Sequence, residues 1–445
     1  MNILSKKALL LCTFILAFLS SEAQWALQND SLFFGAGIKD ICIVDPNVVW
    51  ALAYNGSQPS KQVRYFTRTI DGGSLWKADS IKTNPSIPPD QGISNIVGIN
   101  TDTAWVVTFS PANTSAGGVY RTNDGGANWT KQNTATFNTN SFPDFIYFWD
   151  KNNGLVLGDP NPIGFEIYTT TDGGANWAAV PSANIPPPLS NEYGNIYSFS
   201  VIGNTIWAGT SLGRLLKSTD MGLHWTVSNV ISSKSVNKPV FKDLNNGLCT
   251  VSTNNDTLMR TIDGGSTWNI VPVTGVYLKS DLCYAGGTNQ RYICVGLNTP
   301  VGSSYSVDDG NTWISIESAQ RHTCVSFLNS GTGWAGTFTT ASNPPTGGIY
   351  KWTGNNGVPE YENTIGMKLY PNPNNGIFHI TQANEENGSI QILVCDLVGK
   401  IVYKSSRTIN PAEEDLDLTS QPRGLYFVRV TNSKGESAVQ KLVIE

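Results

Sequence analysis

The sequence predicts an all-β chain: a β-propeller of seven blades, with six as the alternative, followed by a small β-sandwich. Three observations carry this. An eight-residue phrase, Ser/Thr-x-Asp-x-Gly-x-x-Trp, recurs six times, and its aspartates stand 53, 48, 48, 43 and 45 residues apart. Such a period marks an array of supersecondary units, and roughly 40–50 residues per unit suits a propeller blade. Only 14% of residues are charged, against about 25% in an average soluble protein, while Gly, Asn, Thr and Ser are plentiful, which favours short strands and many turns. After Thr364 the phrase disappears and strands with charge runs take over.

The six copies carry Asp71 and Trp76, Asp124 and Trp129, Asp172 and Trp177, Asp220 and Trp225, Asp263 and Trp268, and Asp308 and Trp313. The carboxylate and the Ser/Thr hydroxyl can accept backbone N–H groups of the turn they begin. Glycine at the fifth position supplies a positive φ. The Trp opens the next strand and can bury roughly 150–250 Å² against a neighbouring blade. Six similar copies describe a fold element better than a single acid or metal site. The phrase resembles the Asp box (BNR repeat) of sialidase-like propellers. That resemblance implies a turn between the third and fourth strands of each blade, away from the ligand face.

Met1–Ala23 reads as a secretory signal: Lys6 and Lys7, the apolar run Ala8–Leu19, then the small-x-small site Ser21–Ala23 before Gln24. No later stretch approaches 18 apolar residues, so no transmembrane segment is expected in the mature chain. A net charge of −5 with scattered lysines gives neither a nucleic-acid face nor a polybasic membrane patch. Six cysteines follow the signal. Cys283 and Cys294 flank a Gly-Gly-Thr-Asn-Gln turn and could face each other as a disulfide; the alternative is small buried strand residues that never pair. No Cys/His cluster suggests zinc, and no cofactor is expected.

First-strand candidates are Ile41–Asp45, Ile96–Asn100, Phe145–Asp150, Ile196–Val201, Val240–Asp243, Leu282–Ala285 and Val325–Asn329, which makes seven units for six boxes. The seventh unit reaches a third strand at Ile349–Trp352 but has no box, while Trp25-Ala26-Leu27 looks like a strand that normally follows one. The N-terminus is therefore expected to supply the last blade's outer strand, closing the ring with few exposed edges. The propeller should span 24–353 and a linker 354–364.

From 365 to the end, strands at Ile377–Thr381, Ser389–Asp396, Lys400–Ser405, Glu414–Leu418, Gly424–Thr431 and Ala438–Ile444 fit a small immunoglobulin-like sandwich. The region closely resembles the type A C-terminal sorting domain of the type IX secretion system. The matching pieces are Tyr370, Pro371, Asn372 and Pro373 with Gly376; Gly399 and Lys400; Gly424 and Tyr426; and Lys441 near the end. The resemblance implies a Bacteroidota-type protein exported through the periplasm, with the secretion machinery and a sortase-like peptidase as partners. The product would be released or attached at the cell surface.

The Asp-box likeness covers sialidases, xyloglucan-type hydrolases, sortilin-like receptors and photosystem II assembly-factor-like propellers, so the site must choose. Sialidases use three arginines and an Arg-Ile-Pro signature, which is missing here. Arg68, Arg121 and Arg260 each precede a box in one register and read as repeat positions, and Arg291 falls on a short turn of the opposite face, which leaves Arg64, Arg214 and Arg321. Hydrolysis by two carboxylates needs them about 5–10 Å apart. The long loops of the ligand face offer Asp90, Asp144, Asp159, Glu192 and Glu317, with Asp159 and Glu192 the candidate catalytic pair. Candidate ligand-binding residues are Tyr193, Arg214 and Arg321. His322 reads as a residue at the start of a strand. The stretch Leu157–Pro160, with Asn191–Gly194 and Ser211–Arg214, most resembles the photosystem II assembly-factor-like propellers, which implies binding or scaffolding. The expectation is a secreted or surface binding protein for a glycan or protein ligand; the alternative is an extracellular glycoside hydrolase.

Overall fold

The computed structural model describes residues 24–58, 61–84, 86–88, 90–112, 116–137, 141–252, 256–340, 342, 344–354, 367–381, 388–396, 400–409, 414–432 and 437–445. The signal Met1–Ala23, the linker beyond Gly354, and Gly399 lie outside them. The chain divides into two compact units between Gly354 and Asn355.

The first unit is a ring of seven four-stranded antiparallel blades; a Gly37–Phe338 pairing joins the first and seventh into one sheet, and the short parallel strands Thr83–Asn84 and Thr274–Gly275 add to the second and sixth. The innermost strands are Ala36–Ile43, Gly92–Gly98, Pro143–Phe148, Gly194–Ile202, Val236–Phe241, Asp281–Ala285 and Val325–Asn329. In six blades the chain runs outward through all four strands. In the seventh, Val325–Asn329, Thr332–Thr339 and Gly347–Trp352 are completed by the N-terminal strand Trp25–Asn29. Its register repeats that of a box: Trp25 pairs with Trp352 and Ala26 with Lys351, as Trp76 pairs with Thr69 and Lys77 with Arg68. Trp25 thus occupies a box Trp position without a box.

Each box is closed by the same bonds. In the first, the Thr69 hydroxyl donates to Asp71 Oδ1 at 2.8 Å, the Gly73 N–H donates to Thr69 Oγ1 at 2.8 Å, and the Leu75 N–H donates to Asp71 Oδ1 at 2.9 Å. The other five repeat the pattern. The fourth position is also left-handed, yet it tolerates Met221 (φ 59°) and Asp309 (φ 55°). The fifth is always glycine, because a Cβ at Gly126, for example, would lie 2.2 Å from Phe66 of the preceding blade.

Seven apolar clusters, one between each pair of neighbouring blades, form the propeller core. The box Trp is the outer wedge of these interfaces. Trp129 packs edge-on to Trp50 and Phe66 of the preceding blade, and Trp25 does the same work between the sixth and seventh blades. Arg68 and Arg121 lie over Trp50 and Trp105, as Lys217 and Lys351 lie over Trp207 and Trp334. At this register, which precedes a box in three of the four blades and Trp352 in the seventh, the cation is therefore a structural lid on a second-strand Trp. The Cys283–Cys294 disulfide does not form. Cys283 pairs with Ile293 and Cys294 with Leu282, one register step apart, so the two thiols point to opposite faces of the sheet. All six cysteines after the signal are free.

The second unit packs a three-stranded sheet (Lys368–Tyr370, Ile377–Thr381, Glu414–Asp417) around one apolar core with a four-stranded sheet (Ile401–Ile409, Gly388–Asp396, Gly424–Thr431, Ser437–Ile444). Asn372 donates from Nδ2 to the Lys441 carbonyl at 2.7 Å and accepts the Val443 N–H at 2.9 Å. Asn374 accepts the Glu445 N–H at 2.8 Å through its carbonyl. Gly376 (φ 102°) has no room for a Cβ beside Thr419. The Tyr426 hydroxyl donates to the Pro422 carbonyl at 2.6 Å, and the Lys400 N–H donates to Asp396 at 2.9 Å.

Trp129 is 1% exposed, whereas Trp268 is half-buried. Trp129→Ala should therefore cost about 3–5 kcal/mol of stability in denaturant titration, and Trp268→Ala clearly less. Equal losses would contradict this account of the interfaces.

Candidate functional site

The inner strands enclose a central cavity of about 680 Å³. Most of its polar groups join one blade to the next. Asp40 accepts Asn95 Nδ2 at 2.6 Å and the Ile96 N–H at 3.0 Å. Asn95 accepts the Ile146 N–H, Ser198 donates to the Val236 carbonyl, and Thr323 donates to the Ile38 carbonyl. Lys238 donates to Asp281 Oδ1 at 2.7 Å, and Asp281 Oδ2 accepts the Val325 N–H at 2.8 Å.

Several of these residues stand on β-bulges. The inner strand of each of the first five blades has a register shift: between Ile38 and Asp40, Ile93 and Asn95, Pro143 and Phe145, Gly194 and Phe199, and Val236 and Lys238. A bulge re-aims a side chain that strict alternation would send elsewhere. Lys39, Ser94 and Asp144 are the extra residues of the first three. Ser94 donates to the Pro143 carbonyl at 2.9 Å, and Lys39 donates to the Ile93 carbonyl. In the fourth bulge Tyr197 has φ 63°, and its buried hydroxyl has no partner.

Asp144 is 1% exposed, with an unpartnered Oδ2 against the Cα of Gly194. Asp159 stands beside it and accepts the Gly194 N–H at 3.0 Å. Burial, then the Asp159 charge, pushes the Asp144 carboxyl well above the usual range. Burial pushes Asp159 up to about 7. The electrostatic partner of Asp159 is thus Asp144.

Glu192 is held differently from the sequence expectation. Its carboxylate takes Arg214 Nε at 2.9 Å, Arg214 Nη2, the Thr210 hydroxyl at 2.6 Å and the Leu189 N–H at 2.8 Å. Burial opposes its ionisation, but these donors outweigh burial and hold its pKa low. Glu192 and Arg214 therefore form a buried clamp under the long loop before the fourth blade. Tyr193, next to that clamp, is 55% exposed. Arg64 donates to the carbonyls of Ile87, Pro88 and Gln91, and Arg321 is exposed. With Arg64 and Arg214 so engaged, the three arginines make no single cluster. His322 is fully buried against Trp25 and Tyr350, with Nε2 3.0 Å from Glu317. The box aspartates are ionised turn formers: Asp263 is held at about 2 by the Thr267 hydroxyl and N–H. Among the described residues no group of three or more His, Cys, Asp or Glu could hold a metal ion.

Box turns join third to fourth strands, so they lie at the same end as the first-to-second-strand turns. Their contact is direct: the Gly72 N–H donates to the Asn47 carbonyl, and Gly125, Gly173 and Gly264 repeat this. At the other end, a second cavity of about 300 Å³ shares Lys39 and Thr323 with the channel. Its walls include Lys61, Gln62 and Val63 of the first blade, Phe109 of the second and Leu297 of the sixth. The sequence pointed to the Asn55–Gln62 loop for this face. It offered Asp144 as one ligand-face acid but paired Asp159 with Glu192 instead, and it did not point to Lys39 or Tyr197, because a bulge leaves no mark in an alternating strand.

Residues 368–445 match the family model described as a secretion system C-terminal sorting domain. A search of curated proteins gave no match. Among solved structures, the chain is similar to YCF48 bound to D1 peptide, at 16% identity and a TM-score of 0.51, covering 74% of this chain and 96% of that one. It is also similar to YCF48 from Cyanidioschyzon merolae, at 19% identity and a TM-score of 0.50, covering 74% and 98%. A Trypanosoma rangeli sialidase in complex with the inhibitor DANA matches at 10% identity and a TM-score of 0.44, over 92% and 84%. The chain is thus a β-propeller, the fold it shares with the YCF48 structures, followed by a sorting tail. The tail implies type IX secretion, and with it a secreted or outer-membrane-surface protein. Among the described residues no helix is long and apolar enough to cross a membrane.

Two carboxyl groups with raised pKa favour the proton-holding folded state, so their stabilisation is present at low pH and lost as pH rises, for Asp159 through about 7. Asp144→Asn should gain stability relative to the parent protein as pH rises from about 4 to about 8. Parallel pH profiles of the variant and the parent protein would refute the buried acid pair.

Proposed function

We propose that this is an extracellular or surface-displayed binding protein whose ligand, a peptide or a glycan, enters the channel mouth at the end away from the boxes. The observation that carries the reading is the mouth cavity: concave, partly apolar, and edged by Lys39 without an ion-pair partner among the described residues. The peptide bound to one YCF48 structure adds weight to a peptide ligand. The second reading is a glycoside hydrolase. It rests on the Asp144–Asp159 pair, where one carboxyl keeps its proton near neutral pH as a general acid must. Against it stands the near-complete burial of Asp144. We further propose that a sortase-like peptidase removes the tail after export.

The reading is tested with the mature chain from Gln24 on peptide and glycan arrays, scored for retention and for released product. Retention without turnover is expected. Product release that vanishes in Asp159→Asn would replace binding with hydrolysis, and silence on every array would overturn both. Deleting Lys441–Glu445, which removes the half of the last strand held by Asn372, should trap the protein in the periplasm; unchanged secretion would contradict the sorting role.

A further inference from the structure

The charged groups of the channel differ in one respect. Lys238 has Asp281, and Asp40 has an amide and a backbone N–H. Lys39 has one neutral carbonyl, that of Ile93. The equivalent bulge position in the next blade makes the same kind of link with the hydroxyl of Ser94. One donor is enough for the link. Lysine brings a full charge and two further N–H donors that the fold does not require. Burial holds its pKa down at about 8, with the neighbouring Asp40 pulling the other way. An ammonium so placed is under-compensated, and burying a cation without a partner is costly. The bulge aims it at the one place where the channel and the mouth cavity meet.

The rest of that cavity fits one kind of ligand group. Lys61 adds a second cation at the rim, and Tyr54 and Gln62 add polar groups. No carboxylate is among the described lining residues, while Ile38, Val63, Phe109 and Leu297 give apolar wall. Resting on the binding reading above, we propose that this cavity is a carboxylate subsite, with Lys39 as the binding cation, for a ligand group that carries its carboxylate on a short apolar stem. The apolar walls favour the C-terminal residue of a peptide over the hydroxylated ring of an acidic sugar, whose carboxylate offers the same charge.

The test is ligand-observed NMR and calorimetry on the mature chain with N-acetyl-leucine, its C-terminal amide, and glucuronate. N-acetyl-leucine should bind, and the amide should bind at least tenfold more weakly. Lys39→Met should lose at least tenfold for the acid while leaving the amide unchanged. Lys61→Gln, an exposed change that spares the fold, should lose severalfold if Lys39→Met does not fold. Glucuronate binding more tightly than N-acetyl-leucine, with the same dependence on Lys39, would keep the carboxylate subsite and overturn the peptide source. Equal binding of acid and amide, or no binding of either acid at millimolar concentration, would overturn the subsite. Array retention would then still stand as evidence for binding elsewhere on the propeller.

Discussion

A ring of sheets stands only if every interface between neighbours is filled, because one open interface exposes two apolar faces at once. Here every interface has an apolar cluster between blades, and all but that of the third and fourth blades have hydrogen bonds between inner strands or the residues that enter them, near the channel. The last interface depends on the N-terminal strand. Trp25 enters it at the register of a box Trp, and its indole N–H donates to Ser303 of the sixth blade at 2.9 Å. The seventh blade therefore dispenses with a box because the chain arrives from elsewhere and needs no turn.

The inner strands show how a repeat acquires an individual site. A bulge that recurs to place a linking donor can carry different side chains in different blades. Ser94 makes the link with a neutral hydroxyl. Lys39 makes it with a charge left over. Asp144 stands at the same register without a proton donor unless it is protonated, which agrees with its raised pKa and with the unpartnered oxygen. Chemistry in this propeller thus gathers where the repeat's requirement and the residue filling it do not match.

The fold was legible because its signals are local and repeated. The boxes gave the period, and the strand at Trp25 was recognisable from the six strands that follow boxes. All seven first strands were located, although three of them begin four or five residues earlier than expected, at Ala36, Gly92 and Val236, since a bulge interrupts the alternation that marks a strand start. The site was less legible. Asp159 and Glu192 are close in the loop plan, but sequence alone does not show that Arg214, 22 residues further on, already holds Glu192. Lys39 was invisible for the opposite reason. A lone lysine before an aspartate looks like a solvated pair, and only the neighbouring blades show that Asp40 is bound by Asn95.

The tail joins two sequence features that were read separately. The side chain of Asn372 meets the backbone of residues 441 and 443 much as a neighbouring strand would, and Asn374 continues the contact to Glu445. Ser437–Ile444 is the edge strand of its sheet, and an uncovered edge invites pairing with other chains. The Pro-Asn-Pro turn covers the last part of that edge. A receptor that reads the C-terminal strand therefore meets the turn in the same place, and one that reads the turn meets a strand already held in register. The motif and the terminus form one structural element, so a lesion in Asn372 and a lesion in the last five residues disturb the same surface.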